Sequence, residues 1–197
     1  MILLLTAFEP FNNQSENASY DILNRLDYRK KNVTVHKIKL PVHYDACVYR
    51  KLLLEYRPDI ILHLGEAARR PLINLEKRGI NRMDASIPDN QGTLKSGEPI
   101  NPLGLDEYLS TIPVEVVVEA LKKQGFPIDS SESAGTYICN LALYSSLEAV
   151  RELKMDTKVG FIHFPRLSHQ NNPKDIPTLP LDVATETLQA IIDFLTQ

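Results

Sequence analysis

The chain has 197 residues, 43% of them apolar and 24% charged, with a net charge of −3 at pH 7. That suits one sizeable domain, residues 1–197, and gives no electrostatic case for nucleic acid or an anionic membrane surface. No apolar run approaches the roughly 20 residues of a transmembrane helix. With two cysteines, Cys47 and Cys139, and no basic leader before Met1-Ile-Leu-Leu-Leu5, reduced thiols in a cytoplasmic protein are expected.

Ile2 to Leu5 is continuously apolar, as in a strand buried on both faces of a parallel sheet. The following loop, Thr6-Ala-Phe-Glu-Pro-Phe-Asn-Asn13, lies where α/β proteins often bind ligands. Its Phe8 and Phe11 either anchor the loop in the core or form an apolar wall for a small flat ligand. Ser19 to Leu26 reads as a helix, Val33 to Leu40 as a strand and Tyr44 to Tyr56 as a second helix. Cys47 within that helix reads as a small packed side chain. Ile60 to Leu64 is a strong strand, and His63 inside it reads as a hydrogen-bonded buried histidine.

Glu66 to Asn101 has little helical periodicity and many charges and turn residues. Its interspersed apolar residues predict a folded arm with a short strand at Leu72 to Glu76. Its arginines Arg69, Arg70, Arg78 and Arg82, with Lys77, read as solvated or facing a partner subunit. A helix follows from Thr111 to Gly125, with Val114, Val117, Val118 and Leu121 as its apolar stripe. Pro127 to Ser130 reads as a short strand. Leu141 to Val150 has helical spacing, Lys158 to Phe164 reads as a strand, and Arg166 to Pro180 as a loop. Val183 to Leu195 is a last amphipathic helix. The alternation predicts an α/β three-layer sandwich around a twisted, mostly parallel sheet, with the arm protruding after the third strand.

Ser133-Ala-Gly-Thr-Tyr-Ile-Cys-Asn140 places Cys139 at a helix start. Free N–H groups and the positive dipole end favour a thiolate there and can hold an oxyanion. His163, near the C-terminal end of its strand, is the best-placed base; His169 lies in a polar loop. Glu76, ending its own short strand, can orient the imidazole. There is no Gly-rich phosphate loop, no cysteine pair at zinc spacing and no His-Glu-x-x-His helix. Neither a cofactor nor a metal is expected.

These residues resemble the pyroglutamyl peptidase I family of cysteine peptidases, which remove an N-terminal pyroglutamyl residue. Thr6-Ala-Phe-Glu-Pro-Phe11 resembles the family's opening Thr-Gly-Phe-x-Pro-Phe, and Leu40-Pro-Val42 its Leu-Pro-Val. Leu75-Glu-Lys-Arg-Gly-Ile-Asn81 resembles the glutamate motif, Gly135-Thr-Tyr-Ile-Cys-Asn140 the cysteine motif and Gly160-Phe-Ile-His-Phe-Pro165 the histidine motif. The resemblance implies Cys139 as nucleophile, His163 as base and Glu76 as orienting acid. It implies Phe8, Phe11, Glu66 and Ile138 as substrate-binding residues, the phenylalanines packing on the lactam ring. It also implies an α/β sandwich, pyroglutamylated peptides as partners, and a homotetramer as the candidate assembly.

The chain departs from the family at several points. Ala7 stands for the usual glycine, and Asn12-Asn13 for a Gly-Gly pair. Gly65-Glu-Ala-Ala-Arg-Arg70 replaces a Gly/Pro-rich turn, and Asn74 a Ser or Thr. Ser86 replaces an arginine that the family uses near the oxyanion. Two alternatives therefore stay open: a cysteine amidase with altered acyl specificity, and a catalytically inactive binding or scaffold homologue.

Overall fold

A computed structural model describes residues 1–197. Six strands build the central sheet: β1 (Ile2–Phe8), β2 (Thr34–Leu40), β3 (Ile60–Glu66), β4 (Ile73–Glu76), β9 (Ile128–Ser131) and β10 (Lys158–Phe164). Their spatial order is β2-β1-β3-β10-β4-β9. All neighbours run parallel except β10 and β4, which are antiparallel. The sheet is mostly parallel, as the apolar strands predict.

Alternation along the strands assigns side chains to two cores. Leu3, Leu5, Leu62, Leu64, Ile162 and Phe164 pack with α1 (Ala18–Arg25), α3 (Val114–Lys123) and α5 (Leu181–Leu195). Leu4, Phe8, Ile61, Val159 and Phe161 pack on the other face with α2 (Cys47–Tyr56) and α4 (Ile138–Glu152). Helices thus cover both faces of the sheet, giving the three-layer sandwich.

The segment after β3 is a folded arm. It holds two small antiparallel ladders, β5 (Arg78–Ile80) with β8 (Glu107–Leu109), and β6 (Met83–Asp84) with β7 (Ser96–Glu98). Asn140, fully buried on α4, anchors it: its Oδ1 accepts from Ile80 N, and its Nδ2 donates to Ile80 O and Arg82 O, all within 3.0 Å. Asp89 pins the arm's tip by accepting the backbone N–H groups of Tyr44, Gln91 and Thr93. Burial alone would raise Asp89; these three donors outweigh it and hold the carboxyl below its ordinary value.

Three expectations are corrected. Cys47 is exposed rather than packed: it is the first residue of α2, which begins there instead of at Tyr44. The loop from Arg166 to Pro180 holds a short parallel ladder of β11 (Arg166–Leu167) and β12 (Thr178–Leu179). Two residues per strand carry no readable sequence period. The helix expected from Thr111 begins at Val114, with Pro113 as its cap. No helix is long and apolar enough to cross a membrane.

Candidate active site

Cys139 is the second residue of α4. Gly135, at φ +81°, makes the turn before it, a left-handed conformation that suits glycine. Tyr137 caps α4 without a side-chain hydrogen bond, so the first N–H groups of the helix stay free of a protein cap. Gly65 on β3 lets the sulfur approach the sheet. A Cβ there would stand 3.0 Å from Cys139 Sγ and 2.7 Å from Phe161 Cζ.

His163 lies directly across the β3–β10 ladder from Gly65. Its Nδ1 is 2.6 Å from Oε1 of Glu76, which is fully buried. A carboxylate accepts, so Nδ1 carries the proton and Nε2 keeps its lone pair. Arg70 Nη1 donates to the same Glu76 oxygen at 2.5 Å. Glu76 therefore holds an imidazole on one side and a guanidinium on the other.

Burial is the largest influence on His163 and lowers it. The Glu76 hydrogen bond and charge raise it, and the Arg70 charge lowers it further. The net direction is down, which keeps the ring neutral and basic at neutral pH. Burial pushes the Cys139 thiol up to about 12, with Glu76 and Glu66 adding to the rise; Arg70 and the Cys139 backbone N–H oppose it. Burial therefore works against the preference for a thiolate that the helix start gives. Burial thus opposes both ionisation of the Cys139 thiol and protonation of the His163 ring.

Cys139 and His163 line one cavity of about 350 Å³. Phe8, Phe11, Ile138, Val42 and Ala134 supply apolar wall, and Glu66 and Asn17 supply polar atoms. Phe8 packs on Phe161 at 6.4 Å between ring centroids, and Phe11 on Tyr137 at 6.1 Å. The phenylalanines are thus both core anchors and pocket wall. Ser86 stands at the cavity, on the segment that Thr136 ties down through hydrogen bonds with the Asp84 backbone.

The sequence of the pyroglutamyl peptidase family matches this chain along residues 1–197. The pyrrolidone-carboxylate peptidase of Thermococcus onnurineus is 35% identical, the match covering 98% of this chain and 97% of that one. Pyrrolidone-carboxylate peptidase 1 of Caldanaerobacter subterraneus is 37% identical, covering 97% and 94%. Among solved structures, a variant pyrrolidone carboxyl peptidase from Pyrococcus furiosus superposes with a TM-score of 0.92 at 32% identity, covering 98% of this chain and 97% of that one. Pyroglutamyl peptidase I of Bacillus amyloliquefaciens gives 0.90 at 32% identity, covering 96% and 94%.

The chain belongs to the pyroglutamyl peptidase family. It is accordingly an enzyme, a hydrolase of the cysteine-peptidase type.

Within this family member, all seven residues expected at the site fall in one region. Cys139, His163, Phe8, Phe11, Glu66 and Ile138 line the cavity, and Glu76 stands behind His163. His63 is the core histidine its strand predicts. It is fully buried between Thr6 Oγ1 at 2.7 Å and Ser146 Oγ at 2.9 Å, and burial lowers it to about 3. His169 is exposed and paired with Asp21.

Arg70 corrects the reading of a solvated basic cluster, because it turns inward to Glu76. No periodicity marks an inward arginine in a turn. Arg78 and Arg82 do not line the cavity: Arg78 is held by Glu107 and Glu132, and Arg82 by Asp84. Asn17 was also missed; it caps α1 by accepting from Ser19 N and lines the cavity as well.

Proposed function

We propose that the chain removes an N-terminal pyroglutamyl residue from peptides, with Cys139 as nucleophile, His163 as base and Glu76 as orienting acid. Phe8 and Phe11 flank the lactam ring, and Ile138 and Glu66 complete its pocket. The observation that carries this reading is the shared cavity of Cys139 and His163, with Glu76 fixing the imidazole tautomer at 2.6 Å.

The steps follow from the geometry. His163 Nε2 accepts the thiol proton as Cys139 Sγ bonds to the acyl carbon. The oxyanion meets the free backbone N–H groups at the start of α4. His163 then gives its proton to the leaving amine, releasing the shortened peptide and leaving a thioester. Water, deprotonated by the same nitrogen, adds to the thioester and frees pyroglutamate and Cys139. A wall of apolar side chains suits a compact neutral lactam and disfavours an ordinary charged N-terminus.

We further propose that residues 1–197 act as one domain, since both cores pack on the same sheet. Both cysteines are free, which fits a reducing cytoplasm, and a homotetramer is the assembly to test by light scattering. The deciding assay is release of a coumarin fluorophore from its pyroglutamyl amide. The wild-type chain is expected to release it, and Cys139→Ser to lose at least about 10³-fold. Full activity in Cys139→Ser would sink the reading.

A further inference from the structure

The acyl cavity carries a charge pair that the catalytic steps do not use. Glu66, at the end of β3, lines the cavity and is 8% exposed. Its Oε2 accepts from Ala18 N at 2.8 Å and from Gln170 Nε2 at 3.0 Å. Gln170 is itself fixed, its Oε1 accepting from Leu167 N at 2.6 Å. The other carboxylate oxygen, Oε1, is buried and accepts no hydrogen bond. Its cationic neighbour is Arg166 on β11, with Nε at 3.6 Å, buried and likewise without a hydrogen bond. Arg166 does not line the acyl cavity; it stands behind Glu66.

We propose that Arg166 sets the charge of the acyl pocket through Glu66, and so decides between a neutral lactam and a positively charged pyrrolidine at the substrate's N-terminus. This rests on the function proposed above. Prolyl and pyroglutamyl groups share a five-membered ring. They differ in that the prolyl nitrogen is a protonated amine, while the pyroglutamyl nitrogen is a neutral amide N–H. An unpaired carboxylate beside the ring would draw the cation in. With Arg166 close behind, the pair is net neutral, and a pyrrolidinium gains no counter-charge for its desolvation. Arg166 is thus a positioning residue for specificity, acting against the wrong substrate more than for the right one.

The test compares the full chain with Arg166→Met, Glu66→Gln and the double variant. Two readouts are taken: kcat/KM for pyroglutamyl and prolyl coumarin amides, and binding of 2-pyrrolidinone and of pyrrolidine by ligand-observed NMR. Arg166→Met should move the pyroglutamyl-to-prolyl ratio toward prolyl by roughly tenfold or more and strengthen pyrrolidine binding. The double variant, with no charge left, should return the ratio toward wild type, which a packing role for Arg166 would not do. Glu66→Gln leaves the cation alone and should weaken pyrrolidine relative to 2-pyrrolidinone, so the inference stays testable if Arg166→Met does not fold. Unchanged ratios in the variants that fold overturn it. A wild-type chain that cleaves no pyroglutamyl amide would instead remove the proposed function, and the two binding ratios would still judge the pocket's charge.

Discussion

Arg70 donates from Nη1 to Glu76 Oε1 at 2.5 Å, the oxygen that also holds His163. Glu76, proposed above as the orienting acid, is therefore itself held, by a residue on the turn between β3 and β4. Arg70→Met should lower kcat by roughly 10- to 100-fold with little change in KM. It should also shift the acid limb of kcat/KM upward, because the Arg70 charge lowers His163. A purely structural role would lower the amount of folded enzyme without moving that limb.

The pH profile follows from the same groups. As the proposed base His163 would work unprotonated, and burial holds it below its ordinary value of about 6.5. As pH falls, activity should persist until below that value and only then decline. Burial pushes the Cys139 thiol up to about 12, which opposes its ionisation near neutrality. Iodoacetamide alkylation of Cys139 in the empty site should keep accelerating as pH rises past about 8.5, where a free thiol would level off. A plateau reached well below pH 8 would show instead a standing thiolate–imidazolium pair.

Gly65 tests how tightly the sulfur sits on the sheet. A methyl group there meets Phe161 at 2.7 Å and Cys139 Sγ at 3.0 Å. Gly65→Ala should cost about 1–3 kcal/mol in urea unfolding. It should also reduce kcat by roughly tenfold or more, since the proposed nucleophile Cys139 must shift. Wild-type kcat with intact stability would mean that both neighbours yield freely.

Ser86 marks the place where the chain lacks a cation at the cavity. Arg70, Arg78 and Arg82 are each committed to carboxylates elsewhere. Ser86→Arg, on an exposed position, should raise kcat on the order of tenfold if a positive charge there reaches the oxyanion. A rise in KM with unchanged kcat would show that the backbone N–H groups of α4 already suffice and that the new side chain only crowds the pocket.

The sequence alone determined the layers and pointed to the groups proposed to react. Apolar strands such as Ile2 to Leu5 and Ile60 to Leu64 can be satisfied only between two helical layers, and amphipathic helices such as Val114–Lys123 supply those layers. Cys139, His163 and Glu76 were legible because each sits at the end of a readable element, where α/β sheets place their sites. What needed the tertiary structure was every contact between segments without a period. Arg70 reached Glu76, and Arg166 reached Glu66, across 100 residues of chain, through turns that no hydrophobic pattern describes. The effect of burial on the thiol was visible only there too. A helix start by itself favours a thiolate, but burial against the sheet, beside Glu76 and Glu66, pushes the other way.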